Sequence, residues 1–207
     1  MAAIRRRPLP RRFYGRDTLT VAADLIGKVL VHRSAAGVTA GAIVETEAYI
    51  GESDPACHAA PGPTRRNAPL YGPPGVAYVY LNYGMHCLVN AVTEGEGSPA
   101  AVLIRALEPL EGVDLMRKRR GARRSPVDVS ALCRGPGNLT KALGISLAQN
   151  RLRLTEPPLS VEDWGVVARD LAWGPRIGIR VGTDRPWRCY VAGHACVSGR
   201  RSDSTNV

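Results

Sequence analysis

No apolar run in this 207-residue chain approaches the roughly 18–20 residues that a helix needs to cross a bilayer. Hydrophobic residues still make up 44% of it, enough for a real core. The opening segment MAAIRRRPLPRRF is basic, but no apolar stretch follows its charges. It therefore does not read as a secretory signal, and a cytoplasmic location without membrane attachment is the expectation. Cysteines are few and odd in number, five, with no C-x-x-C spacing. That excludes a disulfide framework and points to reduced, mostly structural thiols. Cys57-His58 and His86-Cys87 resemble a zinc set only on paper. The second pair lies in a predicted strand, where adjacent side chains point to opposite faces, so no metal is expected. Lysine is scarce as well: Lys28, Lys118 and Lys141 are the three among 28 basic residues.

Negative charge is also in short supply. Eighteen Asp and Glu face 28 Lys and Arg, a formal net charge of +10. Compositional bias can choose arginine over lysine, but it does not create an excess of positive over negative. That excess is the electrostatic footprint of a polyanion binder. The length suits one domain.

Along the chain, residues 1–12 carry five arginines and two prolines and read as a disordered basic arm. TVAADLIGK predicts a short helix stopped at Gly27. KVLVHR and GVTAGAIVETEAYI predict two paired strands. The segment from Gly51 to Pro74, rich in Pro, Gly, Arg and Ala, predicts a long loop, which in a compact domain is usually functional or disordered. GVAYVYLNYGMHCLVNAVT predicts a hairpin turning at Tyr83-Gly84, and PAAVLIRAL a further strand. EPLEGVDLMRKRRGARR reads as a helix, residues 121–130 as a linker, and CRGPGNLTKALGI as a turn and helix with Asn138 as N-cap. GPRIGIRVG and WRCYVAGHACVS alternate like strands. The tail 201–207 reads as flexible. The sum is α+β: a single compact domain with a curved, mostly antiparallel β-sheet and short flanking helices.

Within VETEAYIGESDPACHAA, strict alternation puts Ile43, Glu45, Glu47 and Tyr49 on one strand face. Side chains two apart there lie about 6.5–7 Å from each other. His58 follows in the loop. In AYVYLNYG, Tyr78, Tyr80 and Asn82 share a face and Tyr83 sits at the turn; three of the seven tyrosines fall within residues 78–83. Rings beside a basic surface suit an unstacked nucleobase, at roughly 1–3 kcal/mol per stack. Tyr78 serves equally well as a core tyrosine with a bonded hydroxyl. Arg105, inside the apolar strand AAVLIRAL, calls for a buried partner, and the VETEAY strand offers two carboxylates. A buried Glu beside an Arg and a His can hold and deprotonate a water. Spacing alone does not choose between Glu45 and Glu47. Two weaker signals remain. RGPGNLTKAL could present N–H groups to an anion, but it lacks the P-loop spacing. RKRRGARR (117–124) is either a phosphate-contacting patch or a solvated helix end.

These words, VETEAYIGESDPACHA, TRRN, GPPGVAYVYLNYGMHCLVN, VLIRALEPLEG, LCRGPGNLTKALGI and GPRIGI, resemble the alkyladenine (3-methyladenine) DNA glycosylase family. They run in family order over about residues 13–200. The resemblance implies a glycosylase domain over that span, double-stranded DNA containing damaged purines as partner, no cofactor and no metal. It implies base flipping, which costs less for a lesion than for a normal base, with action at the nucleoid in a bacterium. It makes Glu47 the general base, with Arg105 and the main chain of Ile177 holding the water. Tyr49 would stack on one face of the base, His58 and Tyr80 on the other. Asn90 would disfavour the exocyclic amine of undamaged guanine, and Tyr83 would wedge into the vacated gap. The basic cluster and the Gly-rich turn, read apart from the resemblance, offer Arg119, Arg120, Asn138 and Lys141 as DNA-phosphate contacts. The chain departs from family habit at Asn82, Cys87, Asn138 and Cys189, which bears on lesion preference and DNA affinity.

The chemistry is consistent with that. A cationic alkylated purine is a good leaving group and is attracted to electron-rich rings. No lysine falls in the aromatic–carboxylate segments, so a Schiff-base lyase lacks its amine. Hydrolysis alone is expected, by a monomer. The competing readings are a non-catalytic binder of damaged or distorted nucleic acid and a hydrolase of free nucleosides. A buried carboxylate near phosphates gains a pure binder nothing. The basic balance disfavours a small-molecule hydrolase.

Overall fold

A computed structural model describes residues 6–121 and 127–199. Nine strands form one sheet: β1 (Arg7–Pro8), β2 (Val29–Ser34), β3 (Gly37–Ile50), β4 (Ala77–Asn82), β5 (His86–Val92), β6 (Ala100–Glu111), β7 (Leu159–Asp163), β8 (Leu171–Gly174) and β9 (Arg188–Val191). The order is β1-β7-β2-β3-β6-β5-β4, with β9 paired to β3 and β8 to β9. Every pairing is antiparallel. The sheet curls, and five short helices flank it: α1 (Arg11–Tyr14), α2 (Thr18–Asp24), α3 (Val113–Arg120), α4 (Val129–Leu132) and α5 (Pro136–Leu143). The fold is α+β, as the sequence predicts. None of the described helices is long and apolar enough to cross a membrane.

The main core lies where the helices meet the sheet. Leu25, Ile43, Ile104, Leu107, Met116, Leu139 and Leu143 are all fully buried there. β3 and β6 form its longest pairing, and β3 is where strict alternation fails. Ile43 pairs with Leu107, Glu45 with Ala106, and Thr46 with Ile104. Val44 is thus an extra residue on β3, and Arg105 an extra residue on β6. The consequence corrects the expected faces. Ile43 turns into the main core with Ala48, while Val44 packs with Ala106 and Cys196 on the other side. Glu45, Glu47 and Tyr49 keep their shared face. A bulge re-aims side chains in this way and recurs beside active sites.

Other expectations need correction. Arg7–Pro8, read as part of a disordered arm, extends the sheet against Glu162 and Asp163, and Leu9 is buried. The Leu9 N–H donates to Val161 O at 2.8 Å and its side chain joins the main core, which fixes the segment; residues 1–5 lie outside the described residues. EPLE, read as helix, continues β6 to Glu111. In GPRIGIRVG only Gly174, the end of β8, is strand: residues 175–182 run as bends and irregular backbone, with groups such as Ile177 N and Gly182 O bonded to side chains and not to a ladder. Asn138 is not the N-cap of α5; Gly135 is. The side chain of Asn138 donates instead to Arg134 O at 2.7 Å. In the predicted linker 121–130, Asp128 caps α4 by accepting from Ser130 N, and residues 122–126 lie outside the described residues, as does the tail 201–207.

One glycine makes the turn from β6 to α3. Gly112 has φ of 75°, and a Cβ there would collide with Val38 O and stand 2.9 Å from Thr39 Cγ2. Gly112→Ala combines left-handed strain with a backbone clash. It should cost more than about 2 kcal/mol, lowering the melting temperature by roughly 4–8 °C, readable by calorimetry.

Candidate active site

The loop from Gly51 to Pro74 is ordered by its own buried anchors. Asp54 is fully buried, and Asn67 is nearly so. Asn67 Nδ2 donates to His58 O and Gly62 O, both at 2.8 Å. Asp54 accepts from Arg176 Nη1 at 2.6 Å and Nη2 at 2.8 Å, a bidentate pair. Arg176 also donates to Ala48 O at 3.0 Å and Gly182 O at 3.2 Å. Burial works to raise the Asp54 pKa, but Arg176 and the N–H groups of Ala56 and Ile50 outweigh it and hold the carboxyl below its ordinary value.

Between this loop, the β4–β5 hairpin and the 177–179 segment opens a cavity of about 390 Å³. Tyr49, His58, Tyr80, Tyr83, Asn90, Arg105 and Ile177 all line it. His58 Nδ1 lies 2.9 Å from the Tyr78 hydroxyl, and the His58 and Tyr80 rings meet edge-on at 4.4 Å between centroids. Burial, with Arg66 adding to it, holds His58 below its ordinary pKa, so the imidazole is uncharged at neutral pH. Asn90, nearly buried, donates from Nδ2 to Tyr78 O at 3.0 Å. Cys57 also lines the cavity; burial pushes its thiol up to about 11, so it is a packing group and not a nucleophile. The five cysteines are free.

Glu47 stands one layer behind the wall, fully buried. Its Oε1 accepts from Ile177 N at 2.6 Å. Its Oε2 accepts from the Tyr49 hydroxyl at 2.8 Å and from Arg105 Nη1 at 3.2 Å. Each of those donors belongs to a residue that lines the cavity. Burial, then Glu47, raise the Tyr49 pKa well above the ordinary phenol value, so the hydroxyl stays a donor. Glu45 is placed differently. It takes Arg105 Nε at 3.3 Å, Arg188 Nη1 at 3.0 Å and Ser198 N at 2.8 Å. Its contacts are cationic and main-chain groups behind Arg105. The bulge explains the division: as the extra residue on β6, Arg105 reaches both carboxylates.

The hairpin tip is exposed. Tyr83 is 82% accessible, with φ of 48° followed by 68° at Gly84. Behind it, Thr140 Oγ1 donates to Cys87 O at 2.6 Å, and Gly137 lies so close that a Cβ would come within 3.0 Å of His86. Helix α5 therefore braces the hairpin.

The basic residues separate. Arg119 donates to Ala142 O at 3.2 Å and to Ser34 and Thr39 hydroxyls, and burial lowers its pKa. Its guanidinium closes the carboxyl end of α5, away from the cavity. Arg120 bonds Asn138 Oδ1, in the first turns of the helix whose Pro136 lines the cavity. Lys141 is exposed. The structure thus gathers Glu47, Arg105, Tyr49, His58, Tyr80, Asn90, Ile177 and Tyr83, and leaves Arg119 and Lys141 outside. Sequence reasoning missed Asp54, Arg176, Arg188 and Ser198. Buried charge was the available signal: Arg176 sits within GPRIGI, and Asp54 within ESDPACHA.

Among the described residues no three His, Cys, Asp or Glu side chains gather as a metal site. A family model for methylpurine-DNA glycosylase (MPG) matches residues 12–195. Curated relatives span nearly the same length. A protein of Rhodopseudomonas palustris (strain HaA2) is 49% identical over 92% of this chain and 90% of its own. One of Burkholderia lata is 50% identical over 92% and 91%, and one of Methanocella arvoryzae is 50% identical over 93% and 96%. Each is named "Putative 3-methyladenine DNA glycosylase". With its cavity backed by a buried carboxylate, and with a family match over residues 12–195, the chain belongs to the methylpurine-DNA glycosylases, enzymes that hydrolyse N-glycosyl bonds in DNA.

Proposed function

We propose that this enzyme is a monofunctional glycosylase of base excision repair. It flips an alkylated or deaminated purine into the cavity and hydrolyses its glycosidic bond, leaving an abasic site. The observation that carries this is Glu47, buried behind an aromatic cavity and held by three groups of the cavity wall. In this reading a water sits between Glu47, Arg105 and Ile177 O. Its oxygen attacks C1′ as the C1′–N bond breaks, and its proton passes to Glu47. The Tyr49 ring takes one face of the base, His58 and Tyr80 the other. Asn90, fixed by Tyr78 O, meets the position where undamaged guanine carries its amine. The enzyme works as a monomer on duplex DNA, with Arg120, Asn138 and Lys141 as phosphate contacts. Arg119, committed to α5, contributes through the fold.

The test is base release from duplexes carrying a single hypoxanthine, ethenoadenine or 7-methylguanine, followed by alkali. Alkali-labile sites, with no strand cleavage before alkali and no borohydride-trapped adduct, are expected. Tight lesion binding without release from any duplex would replace this reading with a non-catalytic binder.

The exposed tip gives a second expectation. Tyr83→Ala removes the ring but leaves Gly84 and the hairpin ladder untouched. Base extrusion, followed by ethenoadenine fluorescence, should fall by roughly tenfold, in line with about 1–3 kcal/mol for a lost stack. Unchanged extrusion would take Tyr83 out of the mechanism.

A further inference from the structure

One nitrogen of the Arg105 guanidinium serves Glu47: Nη1, 3.2 Å from Oε2 and 3.5 Å from Ile177 O. Nε donates to Glu45 Oε1 at 3.3 Å, and Nη2 to the Ser198 hydroxyl at 3.2 Å. Glu45 is fully buried, and the same Oε1 also takes Arg188 Nη1 at 3.0 Å. Arg188 is itself held from two sides. Its Nε donates to Pro175 O at 2.8 Å, and its guanidinium carbon lies 4.3 Å from the Tyr190 ring centroid. Neither Glu45 nor Arg188 lines the cavity. We infer that Arg188 and Glu45 are positioning residues for hydrolysis: Arg188 balances Glu45, and so leaves Arg105 to hold Glu47 and the water beside it. The inference rests on the proposed roles of Glu47 and Arg105.

The strand register builds the pair. In the β3–β9 ladder Glu47 stands opposite Arg188, and Glu45 opposite Tyr190. Opposite residues of an antiparallel pair share a face, and the long arginine reaches diagonally to Glu45. Glu45, Glu47, Arg105 and Arg188 thus form one chain of ion pairs whose charges cancel. Removing either Arg188 or Glu45 unbalances it. Without Arg188, two buried carboxylates compete for Arg105, and the stranded Glu45 draws it off Glu47. Without Glu45, two cations repel and Arg105 loses the acceptor of its Nε. A buried ion deprived of its partner is costly, whereas removal of both partners is often tolerated. Arg188 also reaches the segment of Ile177 through the Pro175 carbonyl, two residues before the N–H that bonds Glu47 Oε1 at 2.6 Å.

The test compares single-turnover base release with lesion binding, on whichever of the hypoxanthine, ethenoadenine and 7-methylguanine duplexes the unmodified enzyme processes fastest. All variants are assayed well below their melting transitions. Arg188→Met should slow release by about 10- to 100-fold, the scale of a catalytic group misplaced by about 1 Å, while binding stays near native. Arg188→Lys keeps the charge and should release faster than Arg188→Met. Glu45→Gln should also slow release, and Glu45→Gln/Arg188→Met should release faster than either single variant, the sign of a coupled pair. Native release by Arg188→Met, Arg188→Lys as slow as Arg188→Met, a double variant no faster than the singles, or binding lost in step with release would overturn the inference. If Arg188→Met does not fold, Glu45→Gln against the double variant makes the same comparison, with a cation stranded in place of a carboxylate. Failure of the underlying reading looks different: Glu47→Gln would release at the native rate, and the inference would fall with it.

Discussion

Glu47→Gln should reduce base release by on the order of 10²–10⁴-fold, the usual worth of a positioned general base, while binding to a lesion duplex stays within about threefold. The side chain is fully buried and does not itself line the cavity, so affinity should not follow rate. Gln has the same shape. Its amide keeps one acceptor for Ile177 N, which lies 2.6 Å from Oε1 in the native protein. The amide nitrogen at the other position accepts neither the Tyr49 hydroxyl nor Arg105, and the side chain cannot take a proton from water. Single-turnover release and anisotropy binding on the same duplex separate the two effects. Release at the native rate would show that another group serves as base. Glu45 would not inherit the role easily, since both its oxygens already face Arg105, Arg188 and Ser198 N.

Asp54→Ala should destabilise the protein by about 3–5 kcal/mol, because it strands a buried guanidinium without its partner. Both side chains of the Asp54–Arg176 pair are fully buried. For a domain of this size the melting temperature should fall by roughly 10 °C. Base release should fall with it even at low temperature, because the pair joins the His58 loop to the segment carrying Ile177 and sits behind Tyr49. The double variant Asp54→Leu/Arg176→Met removes both charges and should recover much of the stability. A cost below about 1 kcal/mol for Asp54→Ala would show that the pair does not anchor the loop. The pair also sets an acid limit. Its Asp54 pKa is lowered in the fold, so its stabilisation is complete above the unfolded carboxylate value of about 3.9. It is lost as pH falls from there through the lower folded value. Arg176 keeps its charge throughout, its pKa raised because Asp54, with Tyr49 and Glu47, outweighs the effect of burial.

Much was legible from local chemistry. Period-2 alternation marked β2–β5 and the start of β6, and Tyr83-Gly84 marked a turn. An arginine in an apolar strand announced a buried acidic partner, and the basic excess announced a polyanion. These are properties of single segments or of the whole composition, and they need no knowledge of what packs on what. The family-bearing words named the residues that the fold then gathers around one cavity.

What the sequence could not decide depended on contacts between distant segments. Alternation alone could not place Ile43 with the main core and Val44 on the opposite side, because that follows from a bulge forced by pairing β3 with β6. Nor could it tell Glu45 from Glu47. They have the same chemistry two residues apart, and only the arrival of Ile177 N at one, and of Arg188 and Ser198 at the other, divides them. RKRRGARR and GPRIGIRVG were opaque for the same reason. Arg119 closes a helix that comes later in the chain, and Arg176 crosses to an aspartate 122 residues away. The sequence by itself determined which side chains were available for the chemistry. Which carboxylate is held by groups of the cavity wall, and which arginines are locked into the framework, were decided only in the tertiary structure. A charged group's role is set by the partners and solvent around it, and those are brought together only by folding.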